Sequence, residues 1–353
     1  MVVSTTAPPR VSVLAQHVSP HLSVFVVAET THAGRPANGG LRLLPYPSDD
    51  ACIADGQRLA ALMTHKHELY GTGFAGGKVV ARAHDLEAVK DELLAVTAEL
   101  LEALDGAMVT GCDLNTSLED MERLTSLTPH VLAAVGSPVD ASAATAHGTL
   151  GAVEAVLGEA LTTAQPGRAL VHGCGAVGGT VARALVEHGW TVFTMDTQRE
   201  RAGFRGATPL PATCSWWELD LDLLLPCSIS GLIDPSMAQA LRARAVVPAA
   251  NAPFKEAHLA DGLRQRSIPV LPDPLVNAGA VIADSIERFA PQSWEEAEAD
   301  AVYAFVRQTV RRRSDDYLHQ RRKGATATGA LGAVAAGHHC RPIGLSFNAG
   351  AVS

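Results

Sequence analysis

The chain has 353 residues, of which 47% are hydrophobic and 18% charged, and its 37 acidic against 28 basic side chains give a net charge of −9. That length exceeds what one hydrophobic core usually serves, so two domains are expected, and a pI near 5.8 argues against a nucleic-acid surface, which needs clustered positive charge. No apolar stretch reaches the roughly 18 to 20 residues of a spanning helix, and no charged leader precedes an apolar core at the N-terminus, so no membrane partner is expected and a cytoplasmic location is.

Met1 to Arg10, with its prolines, reads as a mobile start, and His21 to Glu29 as a strand so apolar that both faces are expected to be buried. Asp49 to Leu69 repeats Ile53, Leu59, Leu62 and Met63 at helical spacing, Lys78 to Ala83 reads as a strand, and Leu86 to Leu104 as a long helix with Leu93, Leu94, Val96, Leu100 and Leu101 inward. A helix from Thr145 leads to the middle of the chain. Beyond it, Leu221 to Leu225, Ala245 to Ala249 and Ile268 to Leu271 read as strands, separated by helical stretches such as Met237 to Arg242 and Ala257 to Gln265. This βα alternation predicts a mostly parallel sheet. Ser293-Trp294-Glu295-Glu296 has the form of a capping box opening a helix with Val302, Phe305, Val306 and Val310. The basic run Arg311 to Arg313, with Arg321, Arg322 and Lys323, reads as a solvated helix face, and the Ala/Gly-rich tail after Gly324 has weak patterning. Cys52, Cys112, Cys174, Cys214, Cys227 and Cys340 show no metal spacing and read as reduced thiols. No metal site is expected. His65 and His67 stand two apart on a helix and face different ways.

The most informative segment is Leu170-Val171-His172-Gly173-Cys174-Gly175-Ala176-Val177-Gly178-Gly179, followed by the apolar run Thr191 to Met195 and then Asp196. A strand, a G-x-G-x-x-G turn, a helix and a second strand ending in a carboxylate form the dinucleotide fingerprint. Gly173 permits the tight turn, Gly175 lets the backbone approach the pyrophosphate, and Gly178 lets helix and strand pack closely. Ala176 and Val177 open the helix whose N-terminus faces the phosphates. Asp196 falls where a ribose 2′-hydroxyl needs an acceptor and would repel a 2′-phosphate, which makes NAD the expected cofactor.

A nicotinamide needs a reacting partner, and the best candidates lie earlier in the chain. Lys66 follows Met63-Thr64-His65, Lys78 follows Gly76-Gly77, and Asp113 sits in Thr110-Gly111-Cys112-Asp113-Leu114-Asn115-Thr116. A lysine that is partly desolvated among other cations loses its proton more easily and can act as a base near neutrality. On residue types alone, two surface lysines and a loop aspartate would account for the same pattern.

These segments resemble the amino-acid dehydrogenases of the glutamate, leucine, phenylalanine and valine group, most of all the leucine and phenylalanine branch. The resemblance rests on Gly39-Gly40-Leu41-Arg42, Met63 to Lys66, Gly76 to Lys78, the acidic loop at Asp113, Pro226-Cys227-Ser228-Ile229-Ser230-Gly231, Ala249-Ala250-Asn251 and Pro272 to Gly279, all in the family's order. It implies that Lys66 meets the substrate α-carboxylate, Lys78 transfers protons and Asp113 holds the amino group. It further implies that Thr145 and Asn251 contact the nicotinamide end, and that Gly39, Gly40 and Asn277 edge the substrate. Asn38 and Asp284 correspond to positions lining the side-chain pocket, where the leucine and phenylalanine enzymes generally carry apolar residues. A polar or cationic substrate side chain is therefore entertained, against the alternative that Asp284 faces solvent or caps a helix. Further departures are Ala252, Gly279-Ala280 and the bulky His67-Glu68-Leu69-Tyr70.

The resemblance implies an α/β protein: a smaller α/β substrate-binding and oligomerisation domain over residues 1–134, rejoined by about 320–353, and a Rossmann-type doubly wound domain over 135–319, with a cleft between. It implies oxidative deamination of an L-amino acid to a 2-oxo acid and ammonia, or the reverse, by a homo-oligomer. The alternatives are a specialised biosynthetic imine or amino-acid reductase of the same fold and a catalytically silent NAD-binding regulator.

Overall fold

Two strands with buried residues on both faces organise the first part of the chain: Leu22–Glu29 and Ala75–Ala83 are each covered above and below, as their near-continuous apolar sequence requires. In the computed structural model, which describes residues 10–30, 34–336 and 341–349, the strands of this part are β1 (Val11–Val18), β2 (Leu22–Glu29), β3 (Ala37–Asn38) and β4 (Leu41–Leu44). Helix α1 (Asp49–Tyr70), β5 (Ala75–Ala83), α2 (Lys90–Ala103), β6 (Met108–Val109) and α3 (Leu118–Thr125) follow. The expected mobile start (residues 1–9) and Cys340 lie outside the described residues.

The sheet runs β1-β2-β5-β3-β6, with β4 also paired to β5. It is mixed: β1 to β2 and β2 to β5 are antiparallel, whereas β3 and β4 lie parallel to β5. Strand β1 was not expected from the sequence. Its residues are half-buried or exposed and include Gln16 and His17, so its apolar alternation is weak. One face carries Phe25, Val27 and Val80 against Cys52 and Ala60 of α1, while Val24, Val26, Leu41, Leu43 and Val79 on the other meet Leu93, Leu94 and Leu101 of α2. Helix α2 begins at Lys90, because 84–89 turn before it.

The second part begins with α4 (Ala141–Leu157), which starts four residues before Thr145 and is capped by the Asp140 side chain. Strand β7 (Arg168–His172), α5 (Ala176–Glu187), β8 (Thr191–Met195), α6 (Arg199–Ala202), β9 (Ala207–Pro209) and β10 (Leu223–Pro226) then build an all-parallel sheet in the order β10-β7-β8-β9. Val246 and Val270 extend it by single parallel bridges only, so the expected strands over 245–249 and 268–271 are not full strands. The remaining helices are α7 (Pro235–Ala240), α8 (His258–Gln265), α9 (Asp273–Val276), α10 (Gly279–Phe289), α11 (Pro291–Glu295), α12 (Ala299–Arg322) and α13 (Ala327–Ala336).

Ser293 proves to lie inside α11, and α12 starts at Ala299 without a side-chain cap. The capping box of this chain is instead Ser117 with Asp120 on α3. Nor is the basic run wholly a solvated face: Arg313 is 7% exposed, and Arg307 and Arg311 both meet the buried Glu154.

The described chain divides into two compact units, one holding residues up to Ser137, Asp284–Pro291 and 341–346, the other Pro138–Ala283, 292–336 and 347–349. What returns to the first unit is therefore the end of α10 and a short late segment, while α12 and α13 stay with the second.

Glycines set how closely the first unit's elements approach. A Cβ on Gly76 would stand 2.2 Å from the Ala60 carbonyl oxygen and 2.3 Å from the Thr64 backbone nitrogen, so α1 lies on β5 only because that side chain is missing. Gly76→Ala is expected to force α1 off β5 and to lower unfolding free energy by about 1 to 3 kcal/mol. Urea denaturation checks this, and an unchanged midpoint would show that α1 can shift without cost.

Candidate active site

Strand β5 carries Lys78 in register with Val27 of β2, and β4 sets Arg42 beside Val80, so Lys78 and Arg42 share the α1 face of the sheet. Two more glycines pack the site closely. A Cβ on Gly39 would lie 1.8 Å from the Gly77 carbonyl oxygen on β5, and one on Gly40 would lie 2.4 Å from that of Cys112 and 2.9 Å from the Asp113 Cβ. The approach at Gly40 seats the Asp113 loop against β4, where Leu41 bridges Cys112.

Lys78 is 6% exposed and its Nζ meets Asp113 Oδ2. Asp113 accepts from three further donors: Arg42 Nε to Oδ2 at 3.2 Å, Arg42 Nη2 to Oδ1 at 3.3 Å, and the Leu114 N–H to Oδ1 at 2.7 Å. Arg42 Nη1 donates to Asp55 at 3.1 Å, and Asp55 also accepts from the Tyr46 hydroxyl at 2.7 Å and from Arg58 at 2.6 Å. Burial lowers the Lys78 pKa and Arg42 pushes the same way, together outweighing the attraction of Asp113. Burial would raise Asp113, but Lys78 and Arg42 outweigh it and hold the carboxyl below its usual range. The arrangement is thus an amine biased toward its neutral form beside a firmly ionised carboxylate.

Lys66 stands half-buried on α1, next to the fully buried His67, whose pKa is pushed down to about 3 by burial. The neutral His67 ring bonds Thr72 Oγ1 at 2.7 Å and approaches the Asn38 carbonyl oxygen at 3.3 Å. Asn38 in turn donates from Nδ2 to Asp284 Oδ2 at 2.8 Å. Asp284 therefore neither caps a helix nor lies fully in solvent. Burial drives its pKa up to about 8, opposed by Asn38 and reinforced by Glu287, itself pushed to about 7 by burial. Phe74, Phe289, Val109 and Leu132 form an apolar cluster in the same unit.

In the second unit the glycine turn follows β7. Gly173 has φ of +94°, and a Cβ there would come within 2.6 Å of Ser228, in the Pro226 to Gly231 motif. A Cβ on Gly178 would meet the Gly173 carbonyl oxygen at 1.9 Å, yet one on Gly175 would touch nothing within 4 Å. The turn is therefore closed underneath and open above Gly175. Gly175 is also the N-cap of α5 and provides no side-chain cap, so N–H groups of Ala176, Val177 and Gly178 end the helix toward that opening. These residues fit a dinucleotide pyrophosphate. Asp196 Oδ2 accepts from the Cys174 N–H at 2.7 Å and Oδ1 from the Gln198 N–H at 2.8 Å. Burial would raise this carboxyl, but those two N–H groups and Arg201 hold it low.

Asn277 Nδ2 donates to Asn251 Oδ1 at 2.9 Å and to the Ala249 carbonyl oxygen at 3.0 Å, while its own Oδ1 is buried without a hydrogen-bond partner. Thr145, on α4, donates to the Ala141 carbonyl oxygen at 3.0 Å. Lys78 and Asp113 thus come together in one unit with Asn38, Gly39, Gly40 and Asp284, and the glycine turn with Asp196 in the other, which also holds Asn251, Asn277 and Thr145. Arg42, Asp55, Tyr46 and Glu287 join these groups without having been assigned a role from sequence. Arg42 was visible as the arginine closing the Gly39-Gly40 motif; nothing in the sequence marked the other three.

The family model for Glutamate/Leucine/Phenylalanine/Valine dehydrogenase matches residues 196–339, and that for the Glu/Leu/Phe/Val dehydrogenase dimerisation domain matches residues 20–130. The chain is 28% identical over 282 residues to the leucine dehydrogenase of Bacillus subtilis, covering 76% of each, and 29% identical over 289 residues to the phenylalanine dehydrogenase of Caldalkalibacillus thermarum, covering 77% of each. It shares its fold with the L-tryptophan dehydrogenase of Nostoc punctiforme, at a TM-score of 0.72 and 23% identity over 93% of this chain and 94% of that one.

The Arg42 contacts have a measurable consequence. Arg42→Gln removes a cation that lowers both Lys78 and Asp113, so both pKa values should rise. Both limbs of kcat/KM against pH are then expected to move to higher pH, with the cofactor KM unchanged and Arg42→Lys intermediate. Limbs that stay in place while kcat falls would limit Arg42 to a structural role.

Proposed function

This chain belongs to the glutamate/leucine/phenylalanine/valine dehydrogenase family and is an amino-acid dehydrogenase, an oxidoreductase acting on CH–NH2 donors, and from that premise we propose that it deaminates, with NAD, an L-amino acid bearing a polar or cationic side chain. The observation that carries the chemistry is the buried Lys78 joined to an Asp113 that Arg42 also holds. When bound, the dinucleotide supplies the hydride acceptor. Lys66 pairs with the substrate carboxylate, and Asp113 accepts from the amino group and stabilises the cationic iminium left once C2 has lost its hydride. Lys78, as the free amine, takes a proton from the attacking water so that oxygen bonds to C2. It returns that proton to the nitrogen and takes the hydroxyl proton as the C–N bond breaks and the C2 carbonyl closes, leaving the 2-oxo acid and ammonia, and the proton on Lys78 passes to solvent. Reductive amination reverses these steps.

The cofactor choice rests on Asp196, a carboxylate held ionised at the end of β8 where a 2′-phosphate would meet like charge. A kcat/KM favouring NAD over NADP is expected. Preference for NADP would mean that Arg199 or Arg201 has taken over the site. The match of residues 20–130 to a dimerisation domain supports a homo-oligomer.

For the substrate, the relatives above are named for leucine, phenylalanine and tryptophan, whose side chains are apolar apart from the indole N–H. What supports a polar or cationic side chain is the Asn38–Asp284 bond, with Glu287 close enough to raise Asp284. Burying an aliphatic side chain there leaves the Asp284 carboxyl without a further partner, whereas an amine, guanidine, indole N–H or hydroxyl satisfies it. Sites with buried polar groups reject unmatched substrates more strongly than sites lacking one methylene.

A panel of amino acids with NAD, and of 2-oxo acids with ammonia, tests both levels. Lys78→Ala is expected to lower kcat roughly a hundred- to ten-thousandfold and Lys66→Ala to act mainly on KM. Aliphatic amino acids should be poor substrates, and Asp284→Val with Asn38→Leu should shift activity toward them. Leucine or valine turned over by the unaltered enzyme as fast as any polar substrate would overturn the pocket assignment and leave the chemistry standing.

A further inference from the structure

The second unit contains a cavity of about 570 Å³ that shares no residue with the glycine turn. It is lined by the C-terminal end of α4, the segment 267–270 and the last turns of α12. Parallel pairing carries Val270 onto Val246 and Val246 onto Leu224 of β10, so Ser267 and Ile268 lie toward the N-terminal ends of these strands. Gly173 follows the C-terminal end of β7, the opposite end of the parallel strands.

The chemistry of the walls is one-sided. Arg264, Arg321 and Arg322 line the cavity, no lining residue is acidic, and Leu157, Ile268 and Leu318 give it an apolar body. In a chain of net charge −9, the concavity carries three arginines, of which Arg264 is paired with Asp261 outside the lining. Arg264 is fixed in the wall. Its Nε and Nη2 donate to the Val270 carbonyl oxygen at 3.2 and 2.9 Å, and its Nη1 meets the exposed Asp261 at 2.8 Å. Arg321 has Nη1 on the Ala325 carbonyl oxygen, which leaves the other N–H groups of its guanidinium uncommitted, and Arg322 is exposed, with Asp315 as the acid that feels it. Tyr317, 1% exposed, lies beside Arg264 with its hydroxyl in no hydrogen bond of normal geometry.

We propose that this cavity is a binding site for a small organic anion, an apolar body carrying a phosphate or carboxylate head, with the head on Arg321 and Arg322 and the body against Leu157, Ile268 and Leu318. The volume lies within the range of small-molecule sites and exceeds what a bare inorganic anion fills. Guanidinium pairs suit either head group, because the planar fork matches both geometries.

Binding is tested by titration calorimetry on the full chain saturated with NAD, using 1-naphthyl phosphate and 1-naphthoate, with 1-naphthol and inorganic phosphate as the two halves of the ligand. One saturable site per chain for at least one naphthyl anion, with neither half binding comparably, is expected. Arg321→Gln combined with Arg322→Gln should weaken binding tenfold or more, and Leu318→Trp, which fills the cavity without changing charge, should do the same. The order of the two anions identifies the head group. No saturable binding, equal binding of 1-naphthol, or affinity unchanged in both variants overturns the site. Activity enters none of these readouts, so the result is independent of the assignment of Lys78 and Asp113.

Discussion

A lysine enclosed in the middle of a sheet is the constraint on which the first unit depends. Lys78 lies on a strand whose neighbours are almost all apolar, and a bare ammonium there would be strongly disfavoured. The structure answers with a carboxylate on a separate loop, and that carboxylate must approach closer than two ordinary strands with side chains permit. Gly40 permits this approach, Gly39 lets its segment lie close on Gly77 of β5, and Gly76 lets α1 close a further side. Arg42 then keeps Asp113 from belonging to Lys78 alone. With two cations around one carboxylate, the lysine is the group able to lose its proton, since a guanidinium effectively cannot.

The second unit solves a different problem with the same residue. Gly173 and Gly178 remove side chains where backbone crosses backbone, while Gly175 removes one where the protein offers nothing at all. Of the three, only Gly175 has open space where a side chain would stand.

Much of this was legible in the sequence, and the reasons differ from element to element. The dinucleotide turn and its strands read clearly because their apolar runs are continuous and their glycines are punctual. Lys78 and Asp113 stood out through the motifs around them. Strand β1 escaped because an edge strand with Gln16 and His17 has little contrast between its faces. The capping box was misplaced because Ser293 to Glu296 and Ser117 to Asp120 present similar spacing, and only the fold determines which of them starts a helix. Asp284 could be matched to a pocket position, but its bond to Asn38 joins residues 246 positions apart, a separation no local pattern encodes. Asp55 and Glu287 gave no signal, being single acids on helices where such residues are ordinarily solvated.

Asp196 illustrates how one carboxylate can serve two masters. Besides the role proposed for it at the cofactor's ribose, it clasps the N–H of Cys174, inside the glycine turn itself, and that of Gln198. On that proposal, the residue that selects the cofactor is also a fastener of the glycine turn. Evolution or engineering that replaces Asp196 to admit a phosphorylated ribose must loosen the turn in the same step, unless a second change supplies the lost acceptor. A change of cofactor preference made at this position is then tied to the rigidity of the loop.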